Sequence, residues 1–237
     1  MHYWRDDNFK ALAAISELIG DDLDLKHFSN YLRLRERGLR KEAFLQLEQF
    51  LAQTRHWGDE KRRQFVHWVM SMKREWSGAY DLLPTPLWKR LIGPILDKWI
   101  QDEPENPVPL RWRGRLEDLR RAIEIEPTEQ IARELLVSHL LHQVDYSIHE
   151  LPNGFGYLGN ETEDLEKLKE VETLAVALPS DLRERLFSEV ALLREIVEGY
   201  ISYKHSASRL RFCDWMSSQG RTVLDRWEYH PFPGAVR

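Results

Sequence analysis

Apolar residues return along this chain at intervals of three and four, and that spacing predicts one amphipathic helix after another. Phe9, Leu12, Ala13, Ser16 and Ile19 form the first stripe, which Gly20 closes. Phe28, Tyr31, Leu32 and Arg35 share a face of a second helix over 25–37, with Gly38 as its stop. Ala43, Leu47, Phe50, Leu51 and Thr54 mark a third, and the connection around Gly38 is too short for anything but an antiparallel hairpin. Asp59 caps a fourth helix, whose stripe is Phe65, Trp68, Val69, Met72 and Trp76. Thr85-Pro86 opens the next, carried by Leu87, Leu91, Ile95 and Trp99, and Pro94 predicts a kink there or two short helices.

The segment EPENPVP at 103–109 holds three prolines and predicts an extended connector. After it, 108–151 reads as two helices meeting at Pro127, the stretch around which the chain is organised. LPNGFGYLGN at 151–160 is turn-rich, and its Phe155, Tyr157 and Leu158 are suited to pin it to the body. Thr162 then caps a helix bearing Leu165, Leu168, Val171 and Leu174. Pro179-Ser180 recaps a long one with Leu182, Leu186, Val190, Leu193, Val197 and Tyr200, and a short helix over 210–216 ends by Gly220. Alternating runs between Asn-Gly or Asp-Gly turns do not occur, so no strand is predicted. The reading is an all-α fold of stacked antiparallel helical hairpins, about ten helices in all, arranged as a helical-repeat array or an irregular α-solenoid. It forms a single helical-repeat domain over 1–220 with a candidate sub-boundary at 103–109, followed by an irregular tail at 221–237.

Two places resemble the tetratricopeptide repeat (TPR). Gly38, then Leu39-Arg40-Lys41-Glu42 and Ala43, resembles the middle of such a repeat. Ala122-Ile123-Glu124-Ile125-Glu126-Pro127 resembles its end, with Ala132 and Leu135 placed as at the start of the next. The TPR-like resemblance covers about half of the chain, and the two places are not spaced by the roughly 34-residue period of the family. It implies a protein- or peptide-binding role, through a groove lined by the first helix of each pair.

Charge and composition narrow the functional classes. A net charge of -5 argues against a nucleic-acid binder, because phosphate contacts favour a basic surface. The lone Cys213 excludes an intrachain disulfide. MHYWRDDNFK at the start lacks the apolar run of a signal peptide, and nowhere do about 18 apolar residues run together, so a cytoplasmic, non-membrane protein is expected.

The sharpest candidate constellation is His139, His142, Asp145, Tyr146 and His149. At about 100° per residue, His139, His142, Tyr146 and His149 share one sector of a helix, apart from Val137, Leu140, Leu141, Val144 and Ile148. A polar, imidazole-rich stripe of this kind suits a partner-contacting face, with the loop aromatics Phe155 and Tyr157 beside it. The alternative is a helical metal-binding protein or enzyme with His139, His142 and His149 as ligands, although the spacing matches no metal motif. Arg111, Arg113, Arg115, Arg120 and Arg121, with Trp112 among them, have the residue types for phosphate binding. Nearby Glu117, Asp118, Glu124 and Glu126 instead suggest pairing on a solvated face. No nucleophile motif is present and no cofactor is expected. The reading is a protein-protein interaction module of the immunity or adaptor kind, binding one protein or peptide partner.

Overall fold

The computed structural model describes residues 6–221, so the tail expected to be irregular lies, but for Arg221, outside the described residues, as do residues 1–5. Every regular element among the described residues is helical, and eleven helices follow one another. They are α1 (Asp6–Ile19), α2 (Lys26–Glu36), α3 (Arg40–Thr54), α4 (Asp59–Glu75), α5, α6 (Pro107–Arg113), α7 (Leu116–Ile125), α8 (Gln130–Ile148), α9 (Glu161–Ala175), α10 (Ser180–His205) and α11 (Phe212–Ser218). Helix α5 is continuous through Thr85–Leu87, a π-helical turn at Trp88–Ile92, and Gly93–Asp102. The chain forms two compact units that divide between Arg113 and Gly114, a few residues beyond the proline-rich segment.

In the first unit, short turns between neighbours make antiparallel pairs. Phe28, early in α2, meets Phe50, late in α3, with ring centroids 5.2 Å apart, while Tyr31 further along meets Phe44 at 6.1 Å. Gly38 supplies the turn with φ of 76°, a left-handed backbone that costs glycine least. The core is aromatic: Phe28 is fully buried and also touches the rings of Phe65 and Trp68 in α4.

The buried face of α1 is Ala11, Leu12, Ile15 and Ile19, flanked by Asn8 and Ser16, so the face is turned from the predicted stripe and Phe9 and Ala13 sit at its edge. The reason is polar. Ser16 shares a hydrogen bond with Ser29 at 2.9 Å, and Asn8 donates to the Asp81 carboxylate at 3.0 Å while accepting from the Asp81 amide at 3.1 Å. The Tyr31 hydroxyl donates to the Asp81 carbonyl at 2.6 Å, and Arg35 pairs with the Asp81 carboxylate. Lys73 donates to the carbonyls of Ser77 and Ala79 at 3.2 and 3.0 Å. Burial pushes the Lys73 pKa down and that of Tyr31 well above its ordinary value. These bonds fasten the non-helical connection between α4 and α5.

Prolines also stand at helical positions. Pro94 follows directly on a π turn within the helix, where Gly93 N–H bonds Trp88 O, five residues back. The extra residue in that turn moves the buried stripe from Leu87 and Leu91 to Ile92, Leu96 and Trp99, which leaves Ile95 only partly covered. Pro107 and Pro109, expected in an extended connector, lie in the first turn of α6. Amides there have no helical acceptor, so a missing N–H costs little, and the free Val108 N–H is satisfied by Asn106 Oδ1 at 2.9 Å.

The second unit pairs its helices in the same way. Glu161 at the start of α9 meets Lys204 at the end of α10, while Glu172, late in α9, receives both terminal nitrogens of Arg194 at 2.7 and 2.8 Å. Leu140, Leu141, Val144 and Ile148 of α8, Leu168 and Val171 of α9, and Val190 and Val197 of α10 are buried in its core.

Replacing Phe28 with Ala should leave a cavity and destabilise the protein by about 3–5 kcal/mol. Denaturant unfolding monitored by circular dichroism measures this, and a loss below about 1 kcal/mol would show that the aromatic cluster is not a packed core.

Candidate functional site

Helix α8 is capped by Glu129, whose carboxylate accepts from the Ala132 amide at 3.4 Å, and it turns its apolar face inward. Its other side carries the imidazole stripe. His139, His142 and Tyr146 are exposed, Tyr146 at 61%, and His149 is half-buried. No hydrogen bond holds the rings of His139 and His142 among the described residues, and both residues are exposed. Packing around the ring and then the nearby His142 hold the His139 pKa below its ordinary value, which favours neutral imidazole there. His149 is committed differently: Nδ1 lies 2.6 Å from the Tyr146 carbonyl, Nε2 lies 3.2 Å from Glu150, and its ring leans on Tyr146 at 5.0 Å.

After α8 the chain makes a 3-10 turn at Leu151–Asn153 and folds back. The Phe155 amide donates to Glu150 O at 3.2 Å and the Leu158 amide to Ser147 O at 2.8 Å. The loop therefore lies along the C-terminal end of α8, where Phe155 is 66% exposed and Leu158 48%. Tyr157 is placed to hold the loop. Its ring stacks on Tyr200 at 5.2 Å, its amide donates to the Tyr200 hydroxyl at 3.3 Å, and its own hydroxyl donates to Asp164 at 2.7 Å. Burial first, and the Asp164 carboxylate second, push the Tyr157 pKa far above its ordinary value, so it remains a donor at any physiological pH.

Asp164 has no exposed surface and also accepts from Lys167 at 2.7 Å. Gly159 makes that approach feasible: a Cβ on it would stand 2.1 Å from Ser147 Oγ and 2.9 Å from Asp164 Oδ2. The cap of α9 is Asn160, which accepts from the Thr162 and Glu163 amides at 3.0 and 3.2 Å; the predicted cap, Thr162, is already inside the helix.

The other sequence candidates separate. Among the described residues no three His, Cys, Asp or Glu side chains stand together as a metal site. Arg111 and Arg113 belong to the first unit and Arg115, Arg120 and Arg121 to the second. Arg111 is buried and lies over the Trp112 ring at 4.8 Å, while the Trp112 indole donates to His67 at 3.1 Å. Burial of His67, then the charge of Arg111, lower the His67 pKa, in keeping with a neutral ring that accepts this bond. Arg113 reaches Asp97 at 3.2 Å and Arg120 clamps Glu170 with two bonds of 2.8 Å, acids distant in sequence. No helix among the described residues is long and apolar enough to cross a membrane.

Sequence reasoning missed a cavity of about 500 Å³ in the first unit, lined by residues of the α3–α4 turn, the start of α4 and the middle of α5. Its cations come from separate stretches, each of which reads as an ordinary solvated face. The only signal was the recurrence of Arg and Lys on the outer side of consecutive helices.

Compared with protein-family models, the chain matches none. No curated protein matches it, and neither does any solved structure.

Replacing Gly159 with Ala should destabilise the protein by about 1–3 kcal/mol, because Ser147 or Asp164 must move. Thermal melting checks this; an unchanged melting temperature would mean that the loop does not pack as described.

Proposed function

We infer that the chain is a protein-interaction module that binds one partner through the exposed side of α8 and the loop behind it. The observation that carries this reading is the row of His139, His142 and Tyr146, exposed on a helix whose opposite face is fully used in the core. It continues into Phe155, an exposed aromatic on a loop held in place by its own hydrogen bonds. A surface on a helix that joins aromatic area to exposed imidazole side chains suits partner binding, since little ordering entropy is lost on contact. His149 and Tyr157 serve this surface by fixing Tyr146 and the loop.

Three alanines of the TPR-like stretches support a helical-hairpin reading: Ala43, Ala122 and Ala132 are fully buried, where small side chains let helices approach. A small, mildly acidic helical protein with one such face suits an immunity or adaptor role, neutralising or tethering a single partner.

The test is capture of partners on the immobilised full-length protein, with bound proteins identified by mass spectrometry. The double variant His142→Ala, Tyr146→Ala should keep its circular dichroism spectrum and lose at least about tenfold in affinity for the captured partner. Equal capture by the folded double variant would contradict the assignment of this surface.

A further inference from the structure

We propose that the cavity of the first unit binds a nucleoside polyphosphate. Its volume of about 500 Å³ lies in the range of small-molecule sites. Six cationic side chains line it, Arg55, Arg62, Arg63, Lys89, Arg90 and Lys98, against one carboxylate, Asp59. Acids answer part of this charge: Arg90 pairs with Glu48, Lys98 with Asp59, and Arg63 with Asp102 and Glu103. Arg62 is held by backbone, donating to the carbonyls of Thr54 and Arg55 at 3.1 and 2.8 Å, and stands 3.8 Å from Asp59. Arg55 and Lys89 are exposed and have no ion-pair partner within bonding distance among the described residues.

Six cations against the four acids Glu48, Asp59, Asp102 and Glu103 leave a formal surplus of two, at the exposed Arg55 and Lys89, which suits an anionic ligand. A chain of phosphates is such a ligand, and arginine guanidinium groups match phosphate oxygens in pairs. The accessible apolar lining is Pro94 and the half-exposed Ile95, against which a flat base can lie; Leu91 and Trp99 are nearly buried behind them, with the Arg63 guanidinium over the Trp99 ring at 5.4 Å. The π turn of α5 contributes here too, since its shift of register brings Ile95 out of the core and onto the cavity wall.

Isothermal titration of the full-length protein at low salt, with ATP, pyrophosphate and adenosine as separate probes, tests the proposal. ATP should bind more tightly than pyrophosphate, and adenosine should give no heat. Affinity for ATP should fall as salt is raised. The double variant Arg55→Ala, Lys89→Ala should weaken ATP binding by about tenfold or more, with the melting temperature unchanged. No heat with ATP up to about 1 mM, or an unchanged affinity in the variant, would overturn the proposal. Pyrophosphate binding as tightly as ATP would overturn the nucleoside part. A single-stranded oligonucleotide that binds more tightly than ATP, and is lost in the same variant, would make the occupant a nucleic acid instead.

Discussion

A carboxylate taken out of water must be met by donors, and in this protein one such group, Asp164, holds the irregular part of the second unit in place. Helices satisfy their own backbone, but the connections between them do not. The loop at 151–160 would be loosely attached on its composition alone, with three glycines and a proline. It is fastened because Asp164 is wholly buried and accepts from Tyr157 and Lys167. Removing one donor would leave charge buried without its full complement, a larger cost than the bond itself is worth. In the first unit the partly exposed Asp81 is a meeting point instead: Asn8 and Arg35 reach its carboxylate and Tyr31 its backbone carbonyl, from α1 and α2.

Both proposed sites depend on departures from regular helix. Phe155 and the His149–Tyr146 contact lie where α8 ends and the chain turns back on it. The cavity of the first unit takes its apolar wall from the π turn of α5, which sets Ile95 outside the core stripe. A uniformly wound α5 would place Ile95 in line with Leu91 and bury it. Regular winding builds the cores, and the interruptions present the surfaces.

The all-helical class was legible because periodicity records burial, and burial dominates the energy of helix packing. That His139, His142 and Tyr146 stand apart from the apolar face of α8 was legible for the same reason, since they interrupt no apolar position; their exposure was not. Polar burial was not. Asp164 stands in an acidic first turn with Glu161 and Glu163, and nothing local distinguishes the one that is buried. The turned face of α1 follows from Asn8 meeting Asp81 across 73 residues, a pairing that no window on the sequence can see. Pro107 and Pro109 read as breakers because proline's tolerance in a first turn depends on where the helix begins. The cationic cavity was hidden because its members span 55–98 and each stretch alone resembles a solvated face.

The central claim is that the loop at 151–160 is a fixed part of the molecule, built around Asp164, and not a mobile connection. Amide hydrogen exchange at Leu158 tests it most directly, since that amide donates to the Ser147 carbonyl at 2.8 Å. Leu158 should be protected about as well as amides within α9, and should lose that protection when Tyr157 is changed to Phe. Exchange of Leu158 at the rate of a free peptide in the unaltered protein would contradict the claim.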